Sequence, residues 1–182
     1  MSLENADKLI RKLKMMEESM HMDIMLTAVK RADLMVQTAA RGLAPYAHHG
    51  LERSILTKEA VSKSTGTVTG KVYTNLEYAP YVEFGTGPVG QDNHEGISPE
   101  ITPHYSQKGW MIPAKDIDAE DAEKYGFKPA VKNGEIIGYY TKGQPARPYL
   151  YPALKDNEEI VKRHMRKYVG EKLKEIGEKW SM

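Results

Sequence analysis

The residues with the clearest potential for chemistry form a glycine-rich turn near the middle of the chain. Gly85–Gly90 fits the spacing G-x-G-x-x-G, which in dinucleotide-binding proteins lets the backbone approach a pyrophosphate. Such a site needs the turn between a strand and the N-terminus of a helix, because the helix N–H groups hold the phosphates. The residues after Gly90 have the composition of a loop, with no βαβ unit. We therefore predict no cofactor and no cofactor-binding residue here.

The histidines favour a metal site only weakly. His48 and His49 are adjacent, and His94 precedes Glu95, but adjacent side chains rarely point at one metal ion. His94 and His104 lie in a segment with loop composition, where an exposed polar side chain is the usual case. No H-x-x-x-H spacing falls on a predicted helix. We expect no metal ligand, and a small enzyme using the glycine turn or a histidine metal site is the alternative.

Nucleophilic catalysis has no clear candidate either. The chain has no cysteine, which excludes thiol nucleophiles, disulfides and cysteine zinc sites. Ser54, Ser62 and Ser64 lack the context of a nucleophile elbow. Glu83 is an acid among aromatic rings, and its expected partner is Arg147, the charged residue of the other distinctive motif. We predict no catalytic residue and no enzymatic activity.

Composition limits the classes that remain. Of 182 residues, 40% are hydrophobic and 28% are charged, which is typical of a globular domain. The net charge of +1 argues against nucleic-acid binding by the whole chain. No apolar run approaches the roughly 20 residues needed to span a bilayer, and Met1–Arg11 lacks the apolar core of a secretory signal. Tyrosine (11) far outnumbers phenylalanine (2), and tyrosine suits surfaces that are partly buried and partly wet.

Two long amphipathic helices are predicted, one at each end. The first covers residues 1–44 and ends at Gly42 and Pro45. The second covers residues 148–180, with Pro152 in its first turn. In the first, apolar residues recur every three or four positions: Leu9, Leu13, Met16, Met20, Ile24, Ala28, Ala32, Met35 and Ala39.

The middle of the chain, residues 50–143, reads as a sheet interrupted by a variable loop at 88–126. Predicted strands cover 51–58, 67–74, 110–113, 127–131 and 135–141, and Asn133-Gly134 is a strong hairpin signal. An acidic run at 116–123 is expected to be a solvated turn or short helix. The fold class is α+β: one domain, 1–182, in which two long helices pack on one face of a mostly antiparallel sheet.

The last helix also carries a basic cluster, Lys162-Arg163 with Arg166-Lys167. Glutamates three or four residues away favour intrahelical pairs over a phosphate-binding face. A connector that contacts DNA is a further alternative.

Two motifs carry a resemblance to a known family. One is Y-A-P-Y-V-E-F-G-T-G at 78–87, and the other is Q-P-A-R-P-Y-L-Y-P-A-L at 144–154. With Gly50–Ile55 before the first strand, they resemble the tail-completion, or head–tail joining, proteins of the neck of tailed bacteriophages. The resemblance covers about residues 5–175.

The resemblance implies a virion structural protein at the head-proximal end of the tail, assembled in the bacterial host cytoplasm. It implies a homo-oligomeric ring, hexameric or a multiple of six, that completes the tail and joins it to the head connector. The implied partners are further copies of the chain and the tail terminator, tail tube and head-closure or connector proteins. No membrane is implied, and DNA would contact the protein only while passing through the ring lumen.

The residues that we expect to serve assembly lie in the two motifs. They are Tyr78, Tyr81, Glu83, Phe84, Gly85, Arg147, Pro148 and Tyr149. We also expect the segments 78–87 and 145–151 to lie close together.

Overall fold

A computed structural model describes residues 3–45 and 50–180 of the chain, with side chains for 14, 17, 18, 20–45 and 50–178. It combines helices with antiparallel sheets and has long helices near both ends, which confirms the predicted α+β class. The chain divides into two compact units. Unit 1 contains Met1–Asn75 and Pro152–Met182, and unit 2 contains Leu76–Tyr151.

The long helix α1, Leu3–Leu43, is the main element of unit 1. Its buried residues repeat at helical spacing and are mostly small: Ala28, Val29, Ala32, Val36 and Ala40. Small side chains allow close approach, and this helix packs against a β-hairpin and against the last helix of the chain. The α1 side chains of Gln37 and Arg41 donate hydrogen bonds of 2.7 and 2.9 Å to the carbonyl oxygen of Ile55, which ties the helix to the start of the hairpin.

The hairpin consists of β1, Leu56–Ser62, and β2, Thr67–Tyr73, paired antiparallel. The prediction for β2 is confirmed, but the first predicted strand began too early. A short helix α2, Leu51–Ser54, occupies its first half, and the Ser54 hydroxyl donates to the Leu51 carbonyl at 2.6 Å. This turn buries both Leu51 and Ile55 completely, because residues four apart lie on the same face of a helical turn.

Unit 2 contains three short α-helices, one turn of 3-10 helix at Ala114–Asp116 and a three-stranded sheet. The helices are α3, Ala79–Phe84, α4, Gly87–Asp92, and α5, Ala119–Lys124. The strands are β3, Trp110–Pro113, β4, Lys128–Lys132, and β5, Glu135–Thr141, in the order β3-β5-β4 and all antiparallel.

The predicted hairpin at Asn133-Gly134 is confirmed. Both turn residues have positive φ, 54° for Asn133 and 84° for Gly134, as the favoured two-residue hairpin turn requires. The five strands do not form one sheet, however. In the described part of the chain, β1 and β2 form a two-stranded sheet, and β3, β4 and β5 form a second sheet.

The predicted C-terminal helix is interrupted. Helix α6 covers Leu150–Lys155 and helix α7 covers Glu158–Trp180. The Asn157 side chain donates to the Ala153 carbonyl at 2.9 Å, a carbonyl that has no helical partner near the end of α6. The Asn157 backbone carbonyl accepts from the N–H of Val161 in α7. Asn157 thus bonds to both helices at the break.

Lysines and glutamates pair along the exposed surface of α7 as the sequence predicted, for example Lys162 with Glu158 at 2.6 Å. Within the described part of the chain, no helix is both long and apolar enough to cross a membrane.

Candidate functional site

The first motif forms helix α3 and the turn that follows it. Pro80 lies in the first turn of the helix, where its missing N–H costs nothing. The Tyr78 carbonyl accepts hydrogen bonds from the N–H groups of Tyr81 (3.0 Å) and Val82 (3.3 Å). The helix ends at Gly85, whose φ of 72° and ψ of 179° lie in a region that is essentially restricted to glycine.

Glu83 is the centre of the site. Its side chain is buried, with only 4% of the residue exposed. One carboxylate oxygen, Oε2, accepts from the backbone N–H of Tyr149 at 2.7 Å and of Leu150 at 3.0 Å, and Oε1 accepts from the N–H of Tyr151 at 3.0 Å. These are the unpaired N–H groups at the start of α6, so Glu83 caps that helix from a position more than sixty residues earlier in the chain.

The expected side-chain partner of Glu83 was wrong. Among the residues that the structure describes, no ion pair joins Glu83 to Arg147, and the Arg147 side chain is exposed. The contribution of Arg147 is made by its backbone, whose N–H donates to the Val82 carbonyl at 2.8 Å. A carboxylate that already accepts three N–H groups needs no guanidinium partner.

The glycines of the first motif let two segments of unit 2 cross closely. A Cβ on Gly85 would lie 2.6 Å from the Ala146 nitrogen, and one on Gly90 would lie 2.8 Å from the Gly85 carbonyl carbon. Gly143, on the other segment, has a φ of 101° and lies directly against the Thr86 carbonyl. Every one of these contacts is below the distance that a real Cβ tolerates.

Hydrogen bonds join the two segments where they cross. Thr86 donates its N–H to the Gln144 carbonyl at 2.9 Å, and Gln144 donates its own N–H to the Thr86 hydroxyl oxygen at 3.1 Å. The Gln144 side chain also donates to the Tyr81 carbonyl at 3.0 Å. Together with the bonds from Arg147 to Val82 and from Tyr149 to Glu83, these hydrogen bonds confirm the expectation that segments 78–87 and 145–151 lie close together.

This packing also explains the G-x-G-x-x-G spacing. The turn follows a helix rather than a strand, and the helix after it, α4, has only six residues. The space that a missing Cβ leaves at Gly87 is filled by the Lys142 backbone. The glycines thus serve the contact between two chain segments.

The predicted assembly residues divide into buried and exposed ones. Glu83, Gly85 and Tyr149 are buried; Tyr78, Phe84 and Pro148 are half-buried; and Tyr81 and Arg147 are exposed. Tyr149 has no exposed surface, and its hydroxyl finds no hydrogen-bond partner among the described residues. Burial, followed by the charges of Glu83 and Tyr78, raises the pKa of Tyr149, so the ring stays neutral.

Three contributors escaped the sequence analysis: Gln144, Gly143 and Tyr105. The Tyr105 hydroxyl donates to the Phe84 carbonyl at 2.8 Å, and burial raises the pKa of Tyr105. Gln144 is the first residue of the second motif but was not among the expected assembly residues, and Gly143 lies directly before it. Tyr105 lies in the segment read as a variable loop, and nothing in the sequence marks its contact.

His94 is used in packing. The His94 ring stacks on Tyr105 with centroids 5.8 Å apart, and its Nδ1 lies 3.3 Å from the Gly90 carbonyl oxygen. Within the described residues no group of three or more potential metal ligands occurs. His48 and His49 lie outside the described residues.

Comparison with protein families gives one match. Residues 7–85 match the family described as “Bacteriophage HK97-gp10, putative tail-component”. The match confirms the resemblance to the tail-completion or neck family over this part of the chain and supports a structural role in a phage tail. It includes helix α3 with Glu83 and ends before the second motif. No curated protein matches the chain significantly. No solved structure does so either.

Proposed function

We propose that this chain is a non-enzymatic subunit of the phage virion that forms a ring at the head-proximal end of the tail. In this role it completes the tail and joins it to the head connector. The match of residues 7–85 to a phage tail component carries the proposal. The joined motifs support it, because their conspicuous residues are used to fix the backbone rather than to bind a small molecule.

The site is suited to hold a rigid surface. Buried Glu83 fixes the start of α6, and the glycine crossing fixes the end of α3. Tyr81 lies on the surface of α3 and is 58% exposed, and its backbone carbonyl accepts a hydrogen bond from the Gln144 side chain. A large ring on a fixed backbone loses little conformational entropy on binding, which is why tyrosine is enriched in interfaces.

A ring requires two different surfaces on each copy that meet head to tail. We infer that Tyr81 and Arg147 belong to one of these surfaces, with the neighbouring copy as the first partner. The tail terminator, the tail tube and a head-closure or connector protein are the further partners. The ring is hexameric or a multiple of six, it assembles in the host cytoplasm, and DNA passes through its lumen.

The test separates the exposed tyrosine from the buried glutamate. Tyr81→Ala is expected to fold normally and to abolish ring formation, measured as mass in solution and as rings or tail-tube complexes in negative-stain images. Tyr140→Ala is the matched control, because Tyr140 is a comparably exposed tyrosine (44%) on the sheet of unit 2. A Tyr81→Ala protein that assembles as well as the Tyr140→Ala protein would refute the role of Tyr81. A compact monomer that never joins tail components would refute the proposed function.

A further inference from the structure

A second buried carboxylate, Asp33, lies in unit 1, where it faces the β-hairpin. Asp33 is on α1 and is only 9% exposed. Opposite it, β2 carries Gly70, and a Cβ built on Gly70 would run into the Asp33 carboxyl group. The missing side chain therefore makes the space that the carboxyl group occupies.

This carboxyl group lacks the hydrogen bonds that a buried charge needs. Its Oδ2 atom is buried and finds no partner among the described residues. The backbone N–H of Lys71 is the donor that reaches the group. An isolated buried carboxylate with an unsatisfied oxygen is costly, and neutralisation by a proton is the usual remedy.

The neighbouring charges further disfavour the ionised form of Asp33. Glu59 on β1 is the register partner of Gly70, so it lies on the same face of the hairpin, and its charge acts on Asp33. On α1 itself, Lys30 is exposed, and Arg31 is engaged with α7, where its guanidinium lies 4.2 Å from the centre of the Tyr168 ring. Lys71 acts through its backbone, and its side chain is exposed.

We propose that Asp33 and Glu59 form a proton-sensitive contact between α1 and the β1–β2 hairpin. When Asp33 is protonated, its carboxyl group is neutral, so neither its burial nor the charge of Glu59 opposes the contact. When Asp33 is charged, the two carboxylates repel each other and the helix–hairpin contact is weakened. Mild acid therefore tightens unit 1, and neutral pH loosens it.

The pKa of Asp33 agrees in direction with this geometry. Burial first, and the charge of Glu59 second, raise it from 3.8 to about 6, against the opposing effect of the Lys71 N–H. Between these two values the folded protein holds the proton more tightly than the unfolded chain. The free energy of unfolding therefore increases as the pH falls through about 6. Above that pH the destabilising effect of the Asp33 charge is fully present.

The experiment compares the full chain with Asp33→Asn at several pH values. Asparagine keeps an acceptor for Lys71 and turns the anionic oxygen into a donor. We expect amide hydrogen exchange of β1 and β2 to be roughly tenfold to hundredfold slower in Asp33→Asn than in the wild type at pH 7.5, and the ratio to approach one below pH 5. Asp23→Asn, at an exposed aspartate of the same helix, is the control and should give a ratio near one throughout.

Two further measurements keep the proposal open to refutation if Asp33→Asn folds poorly. The Asp33 carboxyl carbon of the wild type, followed by NMR, should titrate well above the aspartate range, and Glu59→Gln should move that midpoint down. A midpoint near 4, or a midpoint unchanged in Glu59→Gln, would overturn the proton-sensitive contact between Asp33 and Glu59. An exchange ratio for Asp33→Asn that does not depend on pH would overturn it as well.

Discussion

Among the side chains that the structure describes, each unit buries one carboxylate, and the surroundings of the two differ. In unit 2 Glu83 is 4% exposed and accepts three backbone N–H bonds. In unit 1 Asp33 is 9% exposed, and one of its oxygens has no partner among the described residues. Comparable burial thus produces a strong structural contact in one unit and a costly charge in the other.

The difference comes from the element that each carboxylate faces. A helix N-terminus presents several N–H groups that have no partner within the helix, and Glu83 reaches three of them. The face of a β-hairpin presents side chains, because its N–H groups lie in the plane of the sheet and bond the partner strand. Asp33 therefore meets Gly70, the charge of Glu59 and one backbone N–H, that of Lys71, in place of the three donors that Glu83 finds.

Removal of the Glu83 carboxylate is expected to cause the largest loss of stability. Glu83→Ala leaves three backbone N–H groups without their acceptor in a buried site, so we expect a loss of about 4 kcal/mol in the free energy of unfolding. Urea denaturation gives the magnitude. Hydrogen exchange of the amides of Tyr149, Leu150 and Tyr151 localises it, since these protons should exchange far faster in the variant.

Two further variants sharpen this result. Glu83→Gln keeps one acceptor oxygen and should lose about half as much, because a neutral acceptor bonds more weakly than a charged one. Glu77→Ala removes an exposed glutamate just before the same helix and should change stability by less than about 0.5 kcal/mol. A loss as small in Glu83→Ala as in Glu77→Ala would contradict the capping role.

The second largest loss of stability is expected where the two segments of unit 2 cross, next to Glu83. Gly85→Ala would place a Cβ 2.6 Å from the Ala146 nitrogen in a backbone conformation that alanine avoids, so we expect a loss of about 3 kcal/mol. Gly170→Ala in α7 is the matched control. It meets nothing within 4 Å in the described structure and should stabilise the helix by about 0.5–1 kcal/mol. Equal effects of the two substitutions on urea denaturation would mean that the crossing is not as close as described.

A third prediction tests the space that Asp33 occupies. Gly70→Ala should cost roughly 1–3 kcal/mol, because the new methyl group displaces the Asp33 carboxyl. The same substitution in an Asp33→Ala background should cost nothing or stabilise the strand, since alanine is favoured over glycine there. A double-mutant cycle on the free energy of unfolding measures the coupling. Additive effects would show that Gly70 is needed for some other reason.

Sequence patterns recovered the parts of the fold that depend on local chemistry. The period of α1, the alternation in β2 and the Asn133-Gly134 turn were each readable because the residues that decide them are neighbours in sequence. The break at Asn157 was missed, since the helical pattern continues across it. The division of the strands into two sheets depends on contacts between distant segments, which no local sequence pattern reveals.

In the candidate site too, the partners that join distant segments could not be predicted from the sequence. The importance of Glu83 was predicted from its aromatic surroundings, and the closeness of the two motifs was confirmed by its hydrogen bonds. Its partner was misassigned because opposite charges suggest an ion pair, whereas a backbone N–H has no sequence signature. Asp33 escaped notice for a related reason: on α1 it resembles any polar residue beside an apolar stripe, and only the pairing of Glu59 with Gly70 makes it unusual.

The smallest effect is expected for carboxylates that are not buried at all. Glu158 on α7 accepts hydrogen bonds from Lys162 at 2.6 Å and Lys155 at 3.2 Å, and these bonds, that of Lys162 first, lower its pKa. Their stabilising effect is present above the usual glutamate pKa and is lost as the pH falls through the lowered one. Because water and salt screen exposed pairs, Glu158→Gln should shift the urea midpoint less than any of the substitutions at Glu83, Gly85 or Gly70, and about 1 M salt should remove the shift.

Glu171→Gln, whose contact with Lys167 is longer at 4.0 Å, is the control for Glu158→Gln and should shift the midpoint still less. A Glu158→Gln protein as unstable as Glu83→Gln would break the comparison, since it would mean that the N–H donors and the burial around Glu83 add nothing to an ordinary surface ion pair. A midpoint shift that survives high salt would contradict the screening on which the ranking depends.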